Sequence, residues 1–197
     1  MMNTVLYGLS FNSGGIMKKL IIIALVLSLS IFSLFAGIIG IFPQKEYDPR
    51  YSYQSQDRIY NEKTLKEILK CFDNKDADSL INMFSETIKS EYDLKNQIKK
   101  AFEIYDGKSV SYEKIDDMGY TSMHTRDGIC VEKSIGAYMI NIKTNTNKLF
   151  TISFTKSVVD DDNPNNKGMT VICLDDEDFR HLAIIGYTKD SQITNGE

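Results

Sequence analysis

Three cysteines, two histidines and two acidic runs are the side chains of this chain whose types and spacing could carry chemistry. Cys71, Cys130 and Cys173 fit no zinc-binding pattern, and His124 and His181 are the only imidazoles that could join them. Cys71 stands beside Phe72 in a helical pattern, which reads as a buried thiol. Cys130 and Cys173 fall in strand-like stretches and could pair in an oxidising compartment. The run Asp160-Asp161-Asp162-Asn163, with Asn165 after it, has the composition of a calcium loop. Counted from Asp160, however, the sixth position is Asn165 rather than Gly and the twelfth is Val171 rather than Glu, so the EF-hand pattern fails. A solvated turn is the expectation there, with Asn163-Pro164 starting it and Gly168 releasing it. The second run, Asp175-Asp176-Glu177-Asp178, reads as a solvated connection, His124 as part of a polar loop and His181 as part of the C-terminal region. There is no Gly-rich phosphate loop, no GxSxG elbow and no HExxH. No metal and no cofactor is expected.

Charge excludes another class. All 27 acidic residues but only 21 of the 23 basic ones follow Phe42, which leaves that part six charges negative. A mildly acidic domain with scattered lysines has no electrostatic footprint for nucleic acid.

Whatever positions these side chains is introduced by an apolar run. Leu20 to Phe42 is 23 residues without a charge, broken only by three Ser and two Gly. As a helix it would extend about 34 Å, enough for a hydrocarbon core of about 30 Å. Met17-Lys18-Lys19 supplies the basic flank of a signal peptide or signal anchor. A cleaved signal would need small residues before the cut, and Leu34 is large where Ala36 would end it. A lipoprotein would need Cys where Ile38 stands. The run therefore reads as an uncleaved anchor at residues 17–42, spanning at 20–42, with the C-terminal domain outside the cytoplasm. Lys45 and Arg50 after the span weigh against that orientation. Residues 1–16 read as a mis-called leader before a natural start at Met17. Residues 43–57, with two prolines and little apolar period, read as an extended linker.

Residues 58–188 read as one domain, with a frayed tail at 189–197. Asn61 is the expected N-cap of a first helix carrying Leu65, Ile68, Leu69 and Phe72 on one face. Asp76 begins a second, with Ala77, Leu80, Ile81 and Phe84 inward. A third runs from about Asp93 to Tyr105, with Leu94, Ile98, Ala101, Phe102 and Tyr105 inward, and Gly107 closes it. The period then changes to two. Strands are expected at Ser109–Ile115, Cys130–Lys143 with a bulge at Gly136, Lys148–Lys156, Met169–Leu174 and Leu182–Tyr187, with a polar loop over Gly119–Gly128. Helices first and consecutive strands afterwards predict an α+β fold: three helices packed on a curved antiparallel sheet of four to five strands.

Lys75-Asp76-Ala77-Asp78-Ser79-Leu80-Ile81-Asn82-Met83-Phe84-Ser85 resembles the second helix of the nuclear transport factor 2-like, or cystatin-like, α+β cone. Together with Tyr105-Asp106-Gly107-Lys108-Ser109-Val110-Ser111-Tyr112 and Asp162-Asn163-Pro164-Asn165-Asn166-Lys167-Gly168, it resembles domain of unknown function 5104, found in exported bacterial lipoproteins. The resemblance covers about residues 60–175. It implies the cone fold and an exported location, and no activity. This chain departs from the group in lacking the lipid-accepting Cys.

Enzymes of that superfold use an Asp base and a His, Tyr or Asp donor inside the cone. By that resemblance Tyr105, Tyr112 and Tyr138 are the pocket candidates, although inward tyrosine is usually packing. No catalytic residue is assigned. The expected function is a membrane-anchored, extracytoplasmic, non-catalytic binding module for a small molecule or protein, held by residues 20–42, with a homodimer through the sheet as one arrangement. A cone-pocket enzyme of the isomerase or dehydratase type and an immunity protein against a secreted toxin are the alternatives.

Overall fold

The computed structural model describes residues 47–116 and 121–186. The expected leader, span and tail lie outside them, as do residues 43–46 of the linker. Among the described residues no helix is long and apolar enough to cross a membrane.

Among the described residues four helices come first: α1 (Gln54–Asn74), α2 (Ala77–Asn82), α3 (Glu86–Glu91) and α4 (Leu94–Ile104). The last three start at side-chain caps. Asp76 accepts from the Ser79 N–H at 3.0 Å, Ser85 from Ile88 at 3.3 Å and Asp93 from Asn96 at 3.1 Å. The first ends where Lys75 turns left-handed at φ 55°, which lets the Asp76 N–H return to the Cys71 carbonyl at 2.9 Å. α3 adds a helix to the three expected, too short to show a period.

α1 starts about two turns before the expected cap. Asn61 is a buried interior residue whose amide donates to the Gly136 carbonyl at 3.3 Å. The first turns bury Asp57, Asn61 and Thr64 instead of apolar side chains, so the hydrophobic stripe begins only at Leu65. The residues at 54–57 read as linker are thus helix.

The sheet follows: β1 (Ser109–Ser111), β2 (Lys114–Asp116), β3 (Thr121–Arg126), β4 (Ile129–Thr144), β5 (Leu149–Asp160), β6 (Gly168–Asp175) and β7 (His181–Ile185). All pairings are antiparallel. The three short strands pair one after another along β4, making one interrupted edge strand, so seven strands occupy five positions. The fold is α+β with a large antiparallel sheet.

The expected polar loop over 119–128 is corrected in part. Residues 121–126 form β3, which contains His124, and Asp127-Gly128 turns the chain into β4 with φ of 54° and 78°. Positive φ at both central residues is the hairpin turn whose twist matches the strands. The expected bulge at Gly136 is also displaced. Gly136 pairs in register with Thr155, and the β4–β5 register shifts instead between Lys133 and Ser134 and between Met139 and Ile142, where Asn141 has φ 53°.

One face of the sheet carries Ile135, Ala137, Met139, Ile142, Phe150, Ile152, Phe154, Ile172 and Leu174. All are at most 4 % exposed, and all but Ile135 are packed in one cluster with Leu65, Ile68, Phe72, Leu80 and Ile98 of the helices. Leu94, Ile98 and Ala101 of α4 belong to the same buried cluster as these strand side chains.

Candidate functional site

The three tyrosines expected to share a pocket are placed apart. Tyr105 is fully buried at the end of α4, with its ring set edge-on to Phe72 at 5.3 Å. Tyr112 is exposed between β1 and β2. Tyr138 pairs with Ser153 and lies on the sheet face opposite the helices, within electrostatic reach of Cys173 and Asp175.

Tyr105 is held by Asp73, near the C-terminal end of α1. The Tyr105 hydroxyl and the Ser109 N–H both donate to Asp73 Oδ1, at 2.9 and 2.8 Å, and the Ser109 hydroxyl donates to Oδ2. Burial and the neighbouring carboxylate raise the Tyr105 phenol well above its usual range. Gly107, φ +85°, makes the turn between them. Lys75 Nζ donates to the Phe102 carbonyl at 2.7 Å and to that of Tyr105, capping the end of α4 with positive charge. This junction borders an open cleft of about 310 Å³. Lys66, Lys70 and Lys108 ring it, with Leu69, Asn74 and Ser109 between them. Glu62 pairs with Lys66 at 2.6 Å. The ammonium groups of Lys70 and Lys108 have neither an ion pair nor a hydrogen bond among the described residues. Tyr112 stands close enough to raise the Lys66 ammonium slightly, after the larger effect of Glu62. With Asp73 saturated, the cleft presents donors and positive charge, which suits an anionic group.

A second polar cluster lies at the other end of α1. Lys133 Nζ sits 2.8 Å from Asp57 Oδ2 and donates to Ser52 Oγ at 2.7 Å. Ser52 and Tyr47 donate to Asp57 Oδ1 at 2.6 and 2.7 Å. Burial, then the Asp57 carboxylate, raise the Tyr47 phenol, which keeps it a protonated donor. These groups consume one another, and none is left to act on a substrate. No sequence signal pointed to this cluster.

The third group is on the outer sheet face. Asp175, read from the sequence as part of a solvated connection, is 2 % exposed and meets His181 Nδ1 at 2.5 Å. Burial raises its carboxyl and the His181 contact draws it back in part. Cys173, two positions before it on β6, is pushed up to about 11 by burial, with Asp175 adding to the effect. A thiol so poorly ionised is a weak nucleophile. Cys71, Cys130 and Cys173 are all free. Cys173 faces Ser153 and thereby Tyr138, whereas Cys130 lies eight residues back along β4, roughly 26 Å away. The Cys130–Cys173 pairing that the sequence left open is therefore closed by geometry.

In the Asp160–Gly168 connection every carboxylate has a protein partner. Asp160 accepts from the Asn163 N–H at 2.7 Å and the Asn166 amide at 2.9 Å, Asp161 pairs with Arg50, and Asp162 with Arg126 at 2.9 Å. Among the described residues no group of three His, Cys, Asp or Glu side chains is placed to hold a metal ion.

The three stretches that carry the family resemblance are thus architectural. Lys75 and Asp76 end one helix and start the next, the Tyr105–Ser109 turn is bonded to Asp73, and Asn166 receives the Thr87 hydroxyl at 2.7 Å. A search of curated proteins finds no match to the chain. The model of the Domain of unknown function (DUF5104) matches residues 67–177, more than half of the chain, and the protein belongs to that family.

Proposed function

We propose that the chain is a membrane-anchored, extracytoplasmic binding module with no catalysis of its own, and that the cleft beside α1 takes an anionic group of its ligand. The observation that carries this reading is a contrast. The inward polar groups, Asp57, Lys133 and Tyr105, are spent on each other or on neighbours, while Lys70 and Lys108 face an open cleft with their charge unspent. Catalysis needs a group whose lone pair or proton is available at a concave site. Recognition needs only the unspent charge and the concavity. The run from Leu20 to Phe42 supports the anchor. The half-exposed outer face, with Tyr138, Ile140, Val171 and Ile184, offers room for a second copy alongside a ligand in the cleft.

The test uses full-length protein in its native membrane. Crosslinking is compared between wild type and the Lys70→Glu/Lys108→Glu pair, after protease added to intact cells has located the domain. The expected result is removal of the domain by external protease and a crosslinked species lost on charge reversal. Wild type and the reversed pair giving the same crosslinks would reject the cleft, and a protected domain would reject the compartment.

A further inference from the structure

We propose that two copies of this chain pair edge to edge through β3, antiparallel about Met123, into one continuous sheet. The observation is an asymmetry between the two edges. The β7 edge is covered: α4 packs against that strand, and the Gly186 N–H just after it donates to Gln97 Oε1 of α4 at 2.9 Å. β3 has β4 as its one neighbour among the described residues, and all six of its residues are exposed. An open edge is a row of unpaired N–H and C=O groups that another strand can join. Shortness, Lys or Pro usually blunts such an edge. β1 and β2 are three residues each, and β2 begins with Lys114. β3 is six residues, Thr121-Ser122-Met123-His124-Thr125-Arg126, with no Lys, Pro or acid.

The occupant follows from the fit of the strand to itself. Asp127-Gly128 is a two-residue turn, which makes Arg126 and Ile129 a hydrogen-bonded pair. Backbone groups alternate sides along a strand, so those of Thr121, Met123 and Thr125 point away from β4. Met123 stands opposite Lys133, whose side chain reaches Asp57 of α1, so Met123 is on the helix side of the sheet. A twofold axis perpendicular to the sheet at Met123 sets that residue against Met123 of the second copy, Thr121 against Thr125 and Ser122 against His124. Each outward backbone group then meets an outward group, and each side chain meets one on its own face. Within these pairs no like charges oppose one another, and Met123, 58 % exposed in the single copy, is covered. Arg126 is already held by Asp162 at 2.9 Å. A register centred on His124 would instead set two imidazoles against each other and leave Thr121 opposite the Asp127 turn. The contact is separate from the outer sheet face and from the cleft, and it stands independently of the function proposed for them.

The test oxidises full-length protein in nonionic detergent. In a hydrogen-bonded antiparallel pair the two Cα atoms stand about 5.5 Å apart, within the span of a disulfide. The expected result is a disulfide-linked dimer from Met123→Cys, and from Thr121→Cys co-expressed with Thr125→Cys. Thr125→Cys alone, whose two copies stand roughly 14 Å apart in this register, gives none. Neither does wild type, with its free Cys71, Cys130 and Cys173. Met123→Lys sets two ammonium groups against each other and turns a sedimenting dimer into a monomer with an unchanged circular-dichroism spectrum. Thr125→Cys crosslinking as fully as Met123→Cys would show random collision and overturn the pairing. A dimer that survives Met123→Lys would place the second copy elsewhere, and a crosslinked product of another mass would give the edge to a different protein; either overturns the proposal.

Discussion

Asp57 on α1 and Lys133 on β4 meet at 2.8 Å with side chains only 5 and 3 % exposed, which makes this ion pair the buried clasp between the N-terminal segment and the sheet. Two charges taken out of water are held only by each other and by the hydroxyls of Ser52 and Tyr47. Removing one partner leaves the other charged and buried. Lys133→Met or Asp57→Leu alone should cost about 3–5 kcal/mol, whereas both together should cost much less, because no charge is then stranded. Denaturant unfolding of the two single variants and the double variant measures this. Additive losses would mean that the two groups do not act as a pair.

The Asp73 junction gives a second, asymmetric prediction. Tyr105→Phe removes one donor from a carboxylate that keeps the Ser109 N–H and hydroxyl. It should cost about 1 kcal/mol. Asp73→Ala instead strands a fully buried phenol and the Ser109 donors, and should cost about 2–4 kcal/mol on the same scale. Urea midpoints decide, and equal losses would show that the carboxylate is not the hub.

How much of this was legible beforehand follows from where the information lies. The stripe Leu65, Ile68, Leu69, Phe72 and the alternation Phe150, Ile152, Phe154 place side chains in the core by period alone, and all but Leu69 are at most 4 % exposed, Leu69 being 9 %. The first two turns of α1 were hidden because their inward residues are Asp57, Asn61 and Thr64, which carry no hydrophobic signal. β3 was hidden because all six of its residues are exposed, although Asp127-Gly128 was a hairpin signal available to be read. The candidate site was hardly legible. Asp73 and Tyr105 are 32 residues apart, Asp57 and Lys133 are 76 apart, and no local pattern announces either meeting. Tyr105 was placed inward by the helical period, and it is fully buried, but its hydroxyl is fixed by a partner, Asp73, that only the fold supplies.

Three glycines with positive φ should rank by what a new Cβ meets. At Gly128, φ +78°, nothing lies within 4 Å, so Gly128→Ala should cost only the backbone strain, about 1–2 kcal/mol. At Gly107 the new atom would meet Asn145 Oδ1 at 2.3 Å, a side chain that can turn away at the loss of its bond from the Lys108 N–H. At Gly168, φ +136°, it would meet the Ser85 backbone N at 2.6 Å, where the Ser85 N–H bonds the Met169 carbonyl at 3.1 Å. Backbone cannot step aside without parting α3 from β6. Gly168→Ala should therefore be the most destabilising and Gly128→Ala the least, in thermal unfolding of all three. Any other order would show that local conformational strain outweighs the close approaches.

Asp175 gives stability a pH dependence of unusual sign for a carboxylate. Its folded-state carboxyl is raised because burial outweighs the pull of His181. A raised carboxyl binds its proton more tightly in the folded than in the unfolded chain. Its contribution to stability is then complete below the unfolded carboxylate range and is lost as pH rises through the folded value. Asp175→Asn keeps the shape and an acceptor for a His181 ring N–H but cannot ionise. The variant should match wild type in acid and be the more stable of the two once pH passes above the carboxylate range. The difference should level off once pH has passed the folded value. Thermal unfolding of both proteins from acid to neutral pH reads it. Were Asp175→Asn the less stable protein at neutral pH, the His181 pair would outweigh burial and the assigned direction would be wrong.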